Sequence, residues 1–403
     1  MAVRISIHEL RPGMRYARAE PDAWLHDPAL HVGSGVAGRG DAARLLAEGY
    51  LEVLVEEPGL APPGADDPIM GPRRLASAAK EEAALLVDAV PVREELALAA
   101  RAYQDALRAA ARLVMDATQG RELVAAPALA AVEGLCSSVE RNHEAAGCVC
   151  RMARLGARLY PHMVATAVTA LAFARYLGLE GEALRRVGLA AFLHDIGKTR
   201  LPLDSLERGQ FGEAQAERET RGHVRAGAAL VGGLRGLRQD QRREVRRAVL
   251  EHHENHDGTG YPAGLAGAAI STGGRVLRLA DAFERGISGM DGRQLSPAEA
   301  LARLYSGRGT AFREDDVERF VKCLGIYPSG SVVRLSGGET ALVVQTNPAK
   351  PLDPLVLVML DARGAAMGRL LDLSAPRGGG VRVEEALPPG RVPDGMPGLD
   401  ALL

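Results

Sequence analysis

Lysine is scarce in this chain of 403 residues. Of 49 basic residues only Lys80, Lys198, Lys322 and Lys350 are lysine, and the rest are arginine. Cysteine is scarce too: Cys136, Cys148, Cys150 and Cys323 are too few to build a disulfide framework. Charge of one sign is missing. The 49 basic residues face 51 acidic ones for a net charge of −2, which gives no support for a protein that coats DNA. Long apolar runs are missing as well. The uncharged run Met163–Ala174 stops far short of the roughly 20 residues a bilayer span needs. The first residues, MAVRISIHEL, lack an apolar signal-peptide core. These absences together predict a cytoplasmic protein with no membrane span. What is present is ordinary for a globular chain: 47% hydrophobic and 25% charged residues. The length predicts two or three domains at about 150 residues each.

Residues 3–57 predict a small α/β unit. VRISI and YLEVLVEE alternate like strands, and DAARLLAEG between them has helical spacing with a glycine stop. Residues 58–74 form a linker, because proline and glycine break both helix and sheet. Residues 75–150 are rich in Ala, Leu, Arg and Glu with helical spacing. They predict a helical connector, with Pro91 and Pro127 at helix starts, that offers a face for a homodimer. Residues 151–326 read as helix after helix. Residues 327–374 carry short β-type runs, SVVRL, TALVVQT, PLVLVML and RLLDLS. Residues 375–403 form a Gly/Pro-rich tail, expected to be ordered only in part. The fold class is therefore mainly α, with a small α/β unit before the helical core and a β-rich extension after it.

The chemistry concentrates in the helical region. Six of the ten histidines lie within residues 162–256. His162 opens an apolar helix. His194 and Asp195 end another, and a carboxylate there is costly to bury unless it is paired or metal-bound. His223 lies in RGHVRAG. His252 and His253 close QRREVRRAVLEHH, and Asp281 follows the apolar VLRLA. Taken alone, each has an ordinary explanation as a cap, a structural pair or a polar helix face. Together they supply seven nitrogen and oxygen ligands, about enough for two divalent metals with room for water and substrate. Imidazole with bridging carboxylate suits Fe or Mn, and Zn is compatible. The CxC pair of Cys148 and Cys150 is a weak separate metal signal. Lys198, three residues after Asp195, runs against the composition, and a compact ammonium reaching a phosphate explains it. After the double histidine, Gly258 and Gly260 with Tyr261 and Pro262 make a loop that brings backbone and an aromatic ring close to a ligand.

These motifs resemble the HD-GYP family of HD-domain metal-dependent phosphohydrolases. The likeness rests on LHDIGK (193–198), His223 with Gly227, HHENHDGTGYP (252–262) and Asp281 in LADAFE. YPSGSVVRLSGGETALVVQTN (327–347) is similar to the usual C-terminal continuation, and residues 3–57 to a small domain that often precedes the module. The resemblance implies an all-helical catalytic core that hydrolyses cyclic di-GMP to pGpG and then GMP, by attack of a metal-bridging hydroxide. It implies that His162, His194, Asp195 and Asp281 hold one metal. His223, His252 and His253 hold the second, Asp195 bridges, and Lys198 contacts the scissile phosphate or the bridging hydroxide. Gly258, Gly260, Tyr261, Pro262 and Arg293 would then meet the substrate, and diguanylate cyclase domains are implied as partners. The chain departs from the pattern in three places. Arg158 stands where some members carry a metal-binding Glu. Glu284, Met290 and Arg293 fall in an altered stretch, with Met290 where a phosphate-binding Arg is typical. LDSLERGQFGEAQAE replaces the usual lid. Two alternatives stay open: a phosphohydrolase for another nucleotide, and a non-catalytic module that binds cyclic di-GMP or a diguanylate cyclase.

Overall fold

The computed structural model describes residues 2–6, 15–18, 35–36, 52–56, 88–153, 159–201, 214–290, 293–375 and 380–393. The chain divides into two compact units, Met1–Asp67 and Pro68–Leu403.

In the first unit, β1 (Ala2–Ser6) and β4 (Glu52–Glu56) pair antiparallel with Ala2 opposite Glu56. β2 (Arg15–Arg18) and β3 (Gly35–Val36), which the sequence does not announce, complete a sheet in the order β1-β4-β2-β3. The helix expected in DAARLLAEG lies outside the described residues, as do the linker at 58–74, Arg158 and much of the altered lid stretch.

The second unit is helical around one core. Helix α1 (Val92–Thr118) starts after Pro91, with Glu94 and Glu95 in its first turn, where carboxylates suit the positive end of the helix dipole. It buries Leu96, Ala99, Tyr103, Ala106, Ala110 and Leu113, one stripe at helical spacing. Glu95 is fully buried because Ser138 donates to it at 2.8 Å and Arg141 at 2.6 and 2.9 Å. Helix α2 (Ala126–Arg141) has Pro127 near its start. Helix α3 (His143–Met152) is capped by the Asn142 side chain, which accepts from the Ala145 N–H. Cys148 and Cys150 sit in α3, buried, and the metal-competent groups found among the described residues contain no cysteine.

Helix α4 (Leu159–Tyr176) is buried on every side from His162 to Ala174. A helix that is apolar all round belongs at the centre of the core. Around it lie α5 (Gly181–Leu193), a 3-10 turn (Ile196–Arg200), α6 (Ala214–Gly233), α7 (Gln239–Glu251) and α8 (Thr272–Ser288). Helices α9 (Pro297–Ser306) and α10 (Glu314–Leu324) close one side. Phe173 of α4 and Phe283 of α8 both pack edge-on against Phe320 of α10, with ring centroids 5.0 and 5.7 Å apart. Among the described residues no helix is long and apolar enough to cross a membrane.

The C-terminal sheet is antiparallel, in the order β8-β7-β6-β5-β9. Its strands are β5 (Val332–Leu335), β6 (Thr340–Gln345), β7 (Leu355–Leu360), β8 (Ala366–Asp372) and β9 (Val383–Leu387). Strand β9 falls in the stretch expected to be a loose tail. It is ordered there because its backbone pairs with β5 from Leu387 opposite Val332 to Val383 opposite Leu335. The buried Glu144 ties this sheet to α3, accepting from the Thr346 N–H at 3.0 Å while its own carbonyl accepts from Ser329 Oγ at 2.9 Å.

Candidate metal centre

Five helices deliver the predicted ligands to one buried place. His162 lies in the first turn of α4. Apolar packing of α5 through Leu189, Ala190, Phe192 and Leu193 drives its C-terminal end inward, and His194 and Asp195 follow directly. His223 lies on the inner side of α6, His252 and His253 just past α7, and Asp281 within α8. All of these are buried except His253, which is half-buried.

The same device aims two of the imidazoles. His194 Nδ1 sits 2.7 Å from the carbonyl of Ala191, and His252 Nδ1 sits 2.7 Å from that of Val249. A carbonyl only accepts, so Nδ1 carries the hydrogen and Nε2 points into the site. Each histidine thus also satisfies one of the orphan carbonyls at the end of its helix.

Two ligand groups result. Atoms of His162, His194 and Asp195 lie within 4.8 Å of one another, and so do atoms of His223, His252 and His253. Asp281 Oδ1 joins the first group, 3.0 Å from His162 Nε2 and 3.5 Å from His194 Nε2. Asp195 reaches both groups. Its Oδ2 is 3.4 Å from His194 Nε2 and 3.6 Å from His162 Nε2, while its Oδ1 is 3.3 Å from His223 Nε2. His194 Nε2, Asp195 Oδ1 and Asp281 Oδ2 are buried with no hydrogen-bond partner. Buried polar atoms without partners are costly, and here they converge from different helices as nitrogen and oxygen donors. That set fits divalent cations.

The electrostatics agree. Burial pushes the Asp195 carboxyl upward, but Lys198 and His194 outweigh it and hold it well below the usual carboxylate range. Burial opposes ionisation of Asp281 too, yet the hydrogen bond with His162, the nearby His194 ring and the charge of Arg285 hold it well below that range. Burial also works against charge on His194, but Asp195 and Asp281 raise it to about 10. Burial, with His194 and His223 adding to it, brings His252 down to about 3, and burial with His252 lowers His253 well below its ordinary value. Without metal the centre therefore holds two carboxylates, a protonated His194 and neutral imidazoles at His252 and His253. Lys198 Nζ lies 2.5 Å from Asp195 Oδ2.

The glycine loop packs against this centre. The Tyr261 ring stacks on the His253 ring with centroids 4.8 Å apart. Gly260 passes so close to the preceding turn that a Cβ there would fall 2.2 Å from the Asn255 nitrogen. Gly258 adopts φ +83°, which glycine alone takes readily. Glu254, whose role the sequence reading missed, fixes the loop: it is buried and accepts from the Ala263 and Leu265 N–H groups at 2.7 and 3.0 Å. Its only signal is its place directly after the two histidines. Glu284 turns away to accept from Thr169 Oγ1 at 2.6 Å, Met290 is half-buried, and the mostly exposed Arg293 pairs with Glu299.

The chain matches the model of the HD domain over residues 144–314, and that of a KOW domain associated with the HD domain over residues 332–377. A cyclic di-GMP phosphodiesterase of Pseudomonas aeruginosa is 31% identical over 90% of this chain and 86% of its own length. The chain belongs to the HD-GYP family. A second relative, the cyclic di-GMP phosphodiesterase response regulator of Xanthomonas campestris, is 38% identical over 34% of this chain and 36% of its own. A solved HDG"Y"P protein from Bdellovibrio bacteriovorus aligns over 79% of this chain and 98% of its own, at 14% identity and a TM-score of 0.43. HD-GYP proteins are HD-domain phosphohydrolases, which bind divalent metals, and the two His/Asp groups are candidates to hold them here.

Proposed function

We propose that this chain hydrolyses cyclic di-GMP, opening one phosphodiester to give linear pGpG. One observation carries the reading. Two three-ligand groups meet at a single carboxylate, Asp195, whose two oxygens face different groups. The activity for which the Pseudomonas and Xanthomonas relatives are named supports cyclic di-GMP as the substrate. His162, His194, Asp195 and Asp281 would hold one metal, and Asp195 with His223, His252 and His253 the other. Iron or manganese suits this donor set best. When bound, such a pair polarises a phosphoryl oxygen and lowers the pKa of bound water.

The chain's own residues do the rest. Nδ1 bonds to Ala191 and Val249 keep His194 and His252 oriented. Lys198, held on Asp195, presents an ammonium to the scissile phosphate. Tyr261, over His253, shields the centre from water. A cytoplasmic setting, diguanylate cyclase partners and a homodimer through 75–150 belong to the same proposal, as does the division into a 151–326 catalytic domain and a 327–374 extension.

Purified protein loaded with iron or manganese tests the reading. Rapid conversion of cyclic di-GMP to pGpG is expected. Turnover confined to other nucleotides, or binding without turnover, would reject it.

A further inference from the structure

His194 and His252 each follow a helix and give Nδ1–H to one of its last carbonyls. His162 lies in the first turn of α4, where the carbonyls are taken up by the helix itself, so the same device is not open to it. Its Nδ1 is buried with no hydrogen-bond partner. One turn further along α4 stands Thr166, fully buried, whose Oγ1 also has no partner. Among the described residues these are the two such atoms on α4. A threonine inside a helix commonly spends its hydroxyl on the carbonyl one turn back, as Thr118 does on Val114 at 2.8 Å. Thr169 gives its own to Glu284 at 2.6 Å. Thr166 does neither, in a stretch of helix buried on every side. A buried hydroxyl left so costs stability and calls for an explanation.

The two groups are complementary. Residues four apart on a helix have Cβ atoms about 5–6 Å apart, and each side chain leans toward the helix N-terminus, so Thr166 leans over His162. That gap suits a hydrogen bond from ring to hydroxyl, directly or through one water. Which ring nitrogen carries the hydrogen depends on loading. In the structure His162 Nε2 is 3.0 Å from Asp281 Oδ1. A carboxylate only accepts, so Nε2 carries the hydrogen there, and in a neutral ring Nδ1 is left bare. Once Nε2 is a ligand, the neutral ring carries its hydrogen on Nδ1 instead. The need for an acceptor at Nδ1 therefore arises on loading. Thr166 Oγ1 can accept that hydrogen and still offer its own to the carbonyl one turn back.

We propose that Thr166 is a positioning residue for the metal of the first ligand group: its Oγ1 accepts from His162 Nδ1–H once Nε2 is a ligand, and so fixes the ring toward the cation. This rests on the metal-centre reading but not on the substrate, because metal affinity is measured without nucleotide. The test titrates manganese into the metal-free full chain. It compares Thr166→Val, which keeps the branched shape and loses the hydroxyl, with Thr166→Ser, which keeps the hydroxyl. Thr166→Val should weaken one of the two sites about 10- to 100-fold and leave the other as in the parent. Thr166→Ser should bind at both sites as the parent does. Without metal, Thr166→Val should unfold at the parental temperature or above it, since the hydroxyl it lacks had no partner. Parental affinity at both sites in Thr166→Val would overturn the proposal. Equal weakening in Thr166→Ser would overturn it too, by tracing the effect to packing. A lowered Tm of metal-free Thr166→Val would do the same, since it marks a structural role. A parent chain that binds no divalent metal would reject the metal centre itself, and this proposal with it.

Discussion

At the scale of single residues, Asp195 and His194 set the behaviour of the centre. Asp195 has one oxygen toward each ligand group, so its loss should be felt at both metals. Asp195→Ala is expected to abolish turnover and to lower the bound metal measured by mass spectrometry. Two retained metals with a near-parental rate would refute that role. His194 makes a second prediction, about protons. Without metal its pKa is about 10, because Asp195 and Asp281 outweigh the opposing effect of burial. A ligand imidazole must be neutral, so at pH 8 metal entry displaces this proton. Binding should release about one proton per chain, and apparent affinity should rise about tenfold per pH unit up to pH 10. Calorimetric titration in buffers of different ionisation enthalpy measures this. No release at pH 8 would show that His194 is neutral before metal binds.

The element scale explains how helices carrying such residues approach one another. The 3-10 turn that follows Asp195 packs directly on α6. A Cβ at Gly197 would lie 2.0 Å from the His223 carbonyl oxygen and 2.4 Å from the Gly227 nitrogen. Both obstacles are backbone, so no side chain can swing aside. Gly197→Ala should therefore destabilise the chain by about 3 kcal/mol, the upper range for overpacking. Gly222, exposed in α6, has nothing within 4 Å of its Cβ position. Gly222→Ala should stabilise by about 0.5–1 kcal/mol through helix propensity. Urea unfolding of the two variants checks both signs. Legibility in the sequence follows the same physics. His162, His194 and Asp195 could be read because they open or end apolar helices, a costly place for an ionisable group without a partner, whereas His223 and Asp281 lie inside their helices and were legible only through the motifs around them. The strands of the C-terminal sheet could be read from alternation, except β9, whose order comes from pairing with β5 rather than from its own pattern. Glu254 looked like one more acidic residue in HHEN, because its acceptors' partners, Ala263 and Leu265, are backbone groups that no sequence pattern marks. Glu284 was hidden by a choice of direction that only packing makes.

For the whole molecule, the centre is a knot in which α4, α5, α6, α7 and α8 meet. Without cations it keeps Asp195 and Asp281 buried with unpartnered oxygens, while the apolar core around Phe173, Phe283 and Phe320 holds the helices in place. Chelation should therefore leave the helical fold intact but lower its stability. Metal at a hundred times its dissociation constant contributes about 2.7 kcal/mol, which corresponds to a fall in Tm of a few degrees when it is removed. Unchanged far-ultraviolet circular dichroism with a lowered Tm after chelation, reversed by added metal, is the expected result. Equal Tm with and without metal would mean that the centre is not a metal site.

His162 and Asp281 touch across a separation of 119 residues, and Asp281 is the last of the candidate ligands in chain order. During synthesis the ribosome delivers residues at about 5–20 per second, so roughly 6–24 s pass between the first ligand and the last. Throughout that interval the emerging chain lacks the carboxylate that completes the first ligand group. A polypeptide that ends before Asp281 thus lacks one carboxylate of the centre that would destroy the messenger.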